Sequence, residues 1–481
     1  MEKQIDLGNI KRVHFIGIGG ISMSGLAEIL VHNGYIVSGS DRTVSPATEH
    51  LVKAGIDVFI GCDAKNITSE IELVVYTAAI KSDNDELCAA QSKNIPAIVR
   101  AELLGALLHK YKYAVCIAGT HGKTSTTALI TEIAQKCGLD PTVNIGGYIN
   151  GKNYYIGSSE YFLLEACEYS NSFLHMKPYI GVILNIDEDH LDYHGSMDAI
   201  IDSFAAFARN IRPGGILVIQ ESVQGYDKIT SGLKCRIVTF STASDNENIT
   251  IPSNCIAHYV AKNITMSKNG TPSFDIIKNA SLLNNTNSTI TESFQVRINL
   301  PQPGIYSMHN ALAAYAVSHG LGMQPLEIAH ALSQTKNAKR RGEFKGMFNN
   351  AKIVDDYAHH PTEIIACLTA ARCSSPGRII CLFQPHTYTR TKNLFESFAN
   401  SFVEADIVLF VPIYAAREAF DPSISSEMLA AKTSMTGKKA ISFHNLREAE
   451  TWLRGKLMPD DLLITMGAGD VYLVGDWLVN E

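Results

Sequence analysis

The chain has 481 residues, room for about three domains of roughly 150 residues each. Hydrophobic residues make up 46% and charged residues 19%, ordinary globular usage that excludes wholesale disorder. The 41 basic and 48 acidic residues leave a formal charge of −7, which argues against a protein built mainly to grip a nucleic-acid backbone.

From the N-terminus, Met1 to Arg12 is polar and leads straight into a strand, unlike a secretory leader. Val13–Ile18 is expected as a strand, Ile21–Asn33 as a helix closed by Gly34, and Tyr35–Ser40 as a second strand. Between the first strand and the helix lies Gly17-Ile18-Gly19-Gly20-Ile21-Ser22, close to a dinucleotide fingerprint but with Ser22 at the third glycine position. Asp41 stands at the end of the second strand. Such a loop offers backbone N–H groups to a diphosphate, so NAD, a UDP-sugar or a plain structural turn all fit. Leu73–Thr77 and Ala97–Val99 continue a strand–helix alternation, the rhythm of a parallel α/β sheet.

A second unit opens with the apolar strand Ala114–Ala118, followed by Gly119-Thr120-His121-Gly122-Lys123-Thr124-Ser125 and a helix to about Cys137, stopped by Gly138 and Pro141. Glycines between a strand and a helix turn backbone N–H groups toward an anion, and the helix N-terminus adds positive charge. Lys123 would reach terminal phosphates and the Thr124 hydroxyl would hold Mg²⁺. Ile117 replaces the first glycine of the usual phosphate loop, giving a shorter G-x-x-G-K-T form for which ATP is the expected ligand.

Glu165, in Leu163-Leu164-Glu165-Ala166-Cys167-Glu168, ends an apolar strand, and Asn185-Ile186-Asp187-Glu188-Asp189-His190-Leu191-Asp192 follows the strand Ile180–Leu184. Open α/β sheets keep their sites at such C-terminal strand ends. A carboxylate there suits Mg²⁺, whereas His190 reads as a metal ligand or as part of a solvated acidic face. From about 241 to 300 the composition turns to Asn, Ser and Thr, and alternating runs such as Phe294–Val296–Ile298 predict hairpins. A helix, His309–His319, is expected next.

The last third alternates strands (Lys352–Asp355, Ile379–Phe383, Ile407–Val411, Leu462–Thr465) with helices. It carries Arg340-Arg341-Gly342-Glu343, Asp355-Asp356-Tyr357-Ala358-His359-His360-Pro361, Gln384-Pro385-His386-Thr387-Tyr388-Thr389-Arg390 and a glycine loop, Thr465-Met466-Gly467-Ala468-Gly469-Asp470. Arginines here can clamp phosphate or carboxylate bidentately, and the segments read together as one wall of a cleft. Two nucleotide-type loops favour an enzyme that uses ATP on a second phosphorylated substrate. An NAD-dependent oxidoreductase would leave Gly119–Thr124 idle, and a nucleotide-gated binding protein would leave the C-terminal histidines and arginines idle. No run of about 18 apolar residues is present, so no membrane insertion is expected. The 10 cysteines form no C-x-x-C pair, and Cys116, Cys167 and Cys381 lie in apolar runs, as in a reducing, cytosolic compartment.

Taken in order, HFIGIGG, AGTHGKTST, LEACEYSNSFL, NIDEDHLDYHG, DDYAHHPTEI, FQPHTYTRT and TMGAGD resemble the Mur ligases over about residues 12 to 475. The resemblance implies an α/β chain of three domains: a Rossmann-like UDP-sugar domain over 1–107, a central ATPase-type domain with added hairpins over 108–322, and a Rossmann-like ligase domain over 323–481. It implies ATP-dependent ligation of L-alanine to the carboxylate of UDP-N-acetylmuramate through an acyl phosphate, in the bacterial cytoplasm, with Mg²⁺ or the related Mn²⁺. The related ligase that recycles a murein tripeptide onto the same sugar is the alternative. No nucleic-acid partner is implied and no oligomeric state is specified.

By motif position, Lys123, Glu165 and His190 are the implied catalytic groups, with Thr124, Glu165 and His190 on the metal. Gly119, Thr120, His121, Gly122, Lys123, Thr124, Ser125, Asn310, Arg341 and Asp356 are implied for ATP. Gly17, Gly19, Gly20, Ser22 and Asp41 are implied for the UDP-sugar, and His359 and Arg390 for the amino acid. The chain departs from the pattern at Ser307, Gly342 and Thr387, where an asparagine, an aromatic and an arginine are usual.

Overall fold

The computed structural model describes residues 5–77, 80–149, 152–189, 191–242, 252–279, 295–336, 339–374, 377–416 and 418–480. Among them the chain forms three sheets with helices packed on both faces. The first comprises β1 (Arg12–Ile16), β2 (Ile36–Asp41), β3 (Asp57–Ile60), β4 (Leu73–Tyr76) and β5 (Ala97–Val99), all parallel, in the order β3-β2-β1-β4-β5. Four consecutive residues of β1, Val13 to Ile16, are buried, as expected of a strand covered on both faces. The strand stops at Ile16, two residues before the expected end, because Gly17 turns at φ +80. The strand order reverses beside β1, so its C-terminal end opens on a crevice.

The second sheet has ten strands: β6 (Tyr113–Ala118), β7 (Thr142–Ile149), β8 (Lys152–Tyr155), β9 (Tyr161–Glu165), β10 (Ile180–Ile183), β11 (Ile216–Gln220), β12 (Arg236–Thr242), β13 (Cys255–Met266), β14 (Pro272–Asn279) and β15 (Gln295–Asn299). Their order is β15-β14-β13-β12-β11-β10-β6-β9-β7-β8, so β6, carrying the phosphate loop, lies between β9 and β10. The region expected as hairpins supplies two consecutive antiparallel pairings: β13 runs parallel to β12, then pairs antiparallel with β14, which pairs antiparallel with β15. The expected Phe294 lies outside the described residues. The following helix spans Ile305–Gly320, starting four residues before the expected His309 because Pro303 and Gly304, at φ +91, break the chain there instead.

The third sheet joins β16 (Glu343–Phe348), β17 (Ala351–Asp356), β18 (Ile379–Phe383), β19 (Ile407–Phe410), β20 (Lys439–Ser442) and β21 (Leu462–Met466) in the order β16-β17-β21-β18-β19-β20, with β16 alone antiparallel.

Burial links these units unequally. One continuous apolar cluster runs from Leu26 and Leu104 of the first unit into Phe162, Phe173 and Phe204 of the second. The helix Arg100–Leu108 approaches so closely that a Cβ at Gly105 would lie 2.2 Å from the His175 carbonyl oxygen. The other face of the central sheet has its own core, which takes in Ile328, Ala331 and Leu332 of the helix Pro325–Leu332, beyond the 322/323 division. The third sheet's two cores contain residues from the third unit only.

Candidate active site

The loop after β6 is shaped by two glycines in backbone regions closed to most side chains, Gly119 at φ +141 and Gly122 at φ +84. A Cβ at Gly122 would also stand 2.5 Å from Oδ1 of Asn310, so the glycine lets the helix Ile305–Gly320 touch the loop. Lys123 opens the helix Lys123–Lys136, and its ammonium bends back over the loop. Nζ donates to the Gly119 and Thr120 carbonyls and to both oxygens of Glu168, at 3.0 and 2.9 Å. Burial works against this charge, but Glu168 more than offsets it, so the lysine stays protonated above its usual range. Glu168 was legible as an acid just past β9 but received no role from the sequence.

Beside it, Glu165 ends β9 with Oε1 accepting from the Gly146 N–H at 2.8 Å, and the Thr124 hydroxyl donates to the same carboxylate. Burial pushes the Glu165 carboxyl up, and Gly146, Thr124 and Lys123 pull part of that back. The pair Gly146-Gly147 was overlooked in the sequence, yet a Cβ on either would fall within 2.8 Å of Glu165 or Thr124. A hydroxyl and a half-buried carboxylate side by side form an oxygen donor set, which fits Mg²⁺. The other ligand implied by motif position, His190, lies outside the described residues.

A second cluster forms where the central unit meets the third. His121 is buried at 8% exposure with Nε2 3.1 Å from Asp187 Oδ2 and Nδ1 3.1 Å from Glu363 Oε1. Both partners can only accept, so both ring nitrogens carry protons. Burial opposes that charge, but the two carboxylates raise the ring to about 9. His360 sits 3.7 Å from Asp187 through Nδ1, which also takes the Thr362 N–H at 3.3 Å, while the Thr362 hydroxyl donates to Asp187 at 2.6 Å. His121, Asp187 and His360 thus bring potential ligand atoms within 4.8 Å of one another, but those lone pairs are already met by protons.

Arg390 lies against Asp189 in a bidentate pair, Nε–Oδ1 and Nη2–Oδ2 both at 3.1 Å, each side chain 11% exposed. Thr387 caps the helix Tyr388–Asn393 by accepting from the Arg390 N–H. His359 donates through Nδ1 to the Tyr357 carbonyl at 3.0 Å, and burial pushes its pKa down to about 4. The neutral ring therefore keeps its lone pair on Nε2.

Between the second and third units lies a cavity of about 280 Å³. Asn310, Ser125 and His121 line one side and Arg341, Asp356 and the apolar Ala370 the other. The Asp356 carboxylate accepts from the Gly342 and Ala358 N–H groups, both at 2.8 Å. The two neighbouring arginines divide their tasks. Arg341 lines the cavity, whereas Arg340 is bound to buried Asp355 at 2.9 Å and to the Gly467 and Gly469 carbonyls. The glycine loop at Gly467 therefore supports Arg340 with its carbonyls and the Asp356 backbone with the Gly467 N–H, which donates to the Asp356 carbonyl at 3.0 Å. Ser307 turns its hydroxyl onto the Gln302 and Gly304 carbonyls and so steadies the helix entrance.

The N-terminal loop is separate from this cluster. Gly17 and Ile18 donate to the Ser40 carbonyl at 2.8 and 2.9 Å, and Gly19 donates to Asp41 Oδ2 at 2.7 Å. Gly20 caps the helix Ile21–His32, with Ser22 partly exposed in its first turn. A Cβ at Gly19 would lie 2.8 Å from both Asp41 and Thr48, so loop and carboxylate fit only with glycine.

Three family models cover nearly the whole chain: "Mur ligase family, catalytic domain" over residues 12–112, "Mur ligase middle domain" over 117–318 and "Mur ligase, glutamate ligase domain" over 340–469. The chain belongs to the Mur ligase family. Among Mur ligases it is 44% identical to the UDP-N-acetylmuramate–L-alanine ligase of Clostridium tetani, over 97% of each chain. It is likewise 44% identical to that of Clostridium beijerinckii, again over 97% of each. The crystal structure of the UDP-N-acetylmuramate–alanine ligase of Thermotoga maritima matches with a TM-score of 0.75 at 25% identity, over 98% of both chains. A murein peptide ligase from Psychrobacter arcticus shares the fold, with a TM-score of 0.69 at 22% identity over 97% of this chain and 98% of that one. Among the described residues of this Mur ligase, no helix is long and apolar enough to cross a membrane.

Proposed function

We propose that this Mur ligase joins L-alanine to the carboxylate of UDP-N-acetylmuramate at the expense of ATP, an early step of peptidoglycan precursor synthesis. The observation that carries the reading is the phosphate loop: Lys123 and the Thr124–Glu165 oxygen pair gather at its helix end, while His121, Gly122 and Ser125 of the same loop line the cavity shared with the third unit. The γ-phosphoryl group of ATP transfers to the sugar carboxylate, giving an acyl phosphate and ADP. The alanine amine then adds to the acyl carbon and expels phosphate, leaving an amide and releasing one proton.

Within this reading the loop Gly119–Ser125 cradles the ATP phosphates, with His121 holding its shape and Arg341 approaching from the third unit. Asn310 takes the adenine side and Asp356 the ribose. Thr124 and Glu165 hold Mg²⁺, or Mn²⁺ in its place, with His190 as a further ligand on motif position; the ion offsets the negative charge of the phosphates. Gly17, Gly19, Gly20 and Ser22, steadied by Asp41, receive the UDP diphosphate. His359 and Arg390 face the amino acid. Packing of Pro325–Leu332 on the central core supports a division between the second and third units somewhat later than 322/323, after Ser333 and before Arg340. Ten free cysteines support a reducing, cytoplasmic setting.

The test is ADP release with UDP-N-acetylmuramate and a panel of amino acids, with the murein tripeptide alongside. Release that requires both the sugar and L-alanine is expected. Release with the tripeptide instead assigns the recycling reaction, and release without the sugar rejects both.

A further inference from the structure

Glu363 stands in the first turn of the helix Pro361–Ser374, and its two oxygens serve two different parts of the molecule. Oε1 meets His121 Nδ1 of the phosphate loop at 3.1 Å, across the boundary between the second and third units. Oε2 accepts from the backbone N–H of His359 at 3.0 Å and lies 3.2 Å from its Nδ1. The carboxylate is 13% exposed, so water does little to screen these contacts. His121 in turn is fixed on its other side by Asp187, whose N–H donates to the Thr120 hydroxyl of the same loop at 2.9 Å. A single carboxylate thus joins the ATP loop to the histidine expected beside the amino acid.

We propose that Glu363 is a positioning residue that couples seating of the phosphate loop to the orientation of His359, so that the alanine subsite is set only when the ATP side is set. The inference rests on the ligase reading given above. Glu363 also borders the cavity proposed for ATP, but it reaches the amino-acid side only through His359. It acts through His121 on one side and His359 on the other, and the Arg341 charge also favours its ionised form. An amide in its place would still accept from His121, but its NH₂ group would face the His359 N–H, two donors together. A change at His121 would free Oε1 and loosen Glu363, and with it His359, although His121 makes its contact with the other oxygen of that carboxylate.

Steady-state kinetics of the full chain provide the test. Wild-type enzyme comes first, since absence of alanine-dependent ADP release in the wild type rejects the ligase reading itself. Given an active wild type, Glu363→Gln should raise the KM for alanine about 10-fold and that for ATP about 5-fold, with the KM for UDP-N-acetylmuramate unchanged. The decisive variant is His121→Gln, measured at saturating ATP, which should raise the alanine KM about 5-fold. In the Glu363→Gln background it should add little more, because one link has already been cut. His121→Asn serves the same purpose should the glutamine variant not fold. An alanine KM that stays at the wild-type value in the His121 variant, or that adds fully to the effect of Glu363→Gln, overturns the coupling while leaving the ligase reading intact.

Discussion

The two boundaries within this chain are built from different materials. The first and second units share one apolar cluster from Leu26 and Leu104 to Phe162 and Phe173, tight enough that Gly105 admits no Cβ. The second and third units meet through charged and polar pairs, His121–Glu363, Arg390–Asp189 and His360 with the Glu188 carbonyl, around a cavity. Apolar contact is non-directional and scales with area, so it fixes the N-terminal loop in place without any partner from the ligand. Charge pairs are directional, and a ligand of the right charge can take over one member. Glu168 holds the Lys123 ammonium, proposed above for phosphate, and Asp189 holds the Arg390 fork, proposed above for the amino acid. Each of these two half-buried cations therefore has an acid that keeps it paired, which avoids the cost of an unpaired charge largely withdrawn from water.

Substitutions on either side can break or sharpen this contrast. The largest expected effect is at Lys123. Lys123→Ala should lower turnover at least about 100-fold, as when one preorganised electrostatic donor is removed, while calorimetry shows UDP-N-acetylmuramate binding unchanged. Near-normal ADP release would remove the phosphate loop from the reaction. Next, Arg390→Ala should raise the alanine KM by roughly 10- to 100-fold, the factor implied by losing a charged, bidentate hydrogen bond. Arg390→Lys should recover only part, since the ammonium lacks the planar fork. A defect falling on ATP instead would move Arg390 to the nucleotide.

On the apolar boundary, Gly105→Ala should act on stability and not on KM. Its Cβ would drive into the His175 carbonyl, and overpacking of this kind costs about 1–3 kcal/mol. A melting temperature equal to the wild type would show that the two units are less tightly joined than their packing implies. The smallest effect concerns pH. His121 is raised to about 9 in the fold, so its contribution is complete below its ordinary value near 6.5 and is lost as pH rises through 9. Thermal melts from pH 6.5 to 9.5 should therefore fall by about 2–4 °C more in the wild type than in His121→Gln. Parallel slopes for the two proteins would show that the ring carries no extra proton.

Much of both sites was readable from residue order because the signals are local. Gly119–Ser125 between an apolar strand and a helix, and Gly17–Ser22 before another, are runs whose backbone demands are met within a few residues. The helix Ile305–Gly320 was found but entered late, since its start depends on Gly304 and not on the apolar period. Glu168, Asp189 and Glu363 were visible as acids, yet nothing in their neighbours along the chain tells which cation each one meets. Gly146 and Gly147 matter only because Glu165 and Thr124 arrive from other elements.

What the sequence by itself determined is therefore many of the strands and helices, the two glycine turns and the kinds of groups at the strand ends, all governed by backbone preference and short-range periodicity. What the tertiary structure alone decided is the partnership of charges. Arg340 and Arg341 are adjacent in the chain, but one is tied to buried Asp355 and the other lines the cavity. His121 and Glu363 are 242 residues apart and meet at 3.1 Å. Coulomb attraction and desolvation depend on distance and burial, and these are properties of the folded chain that no stretch of sequence contains.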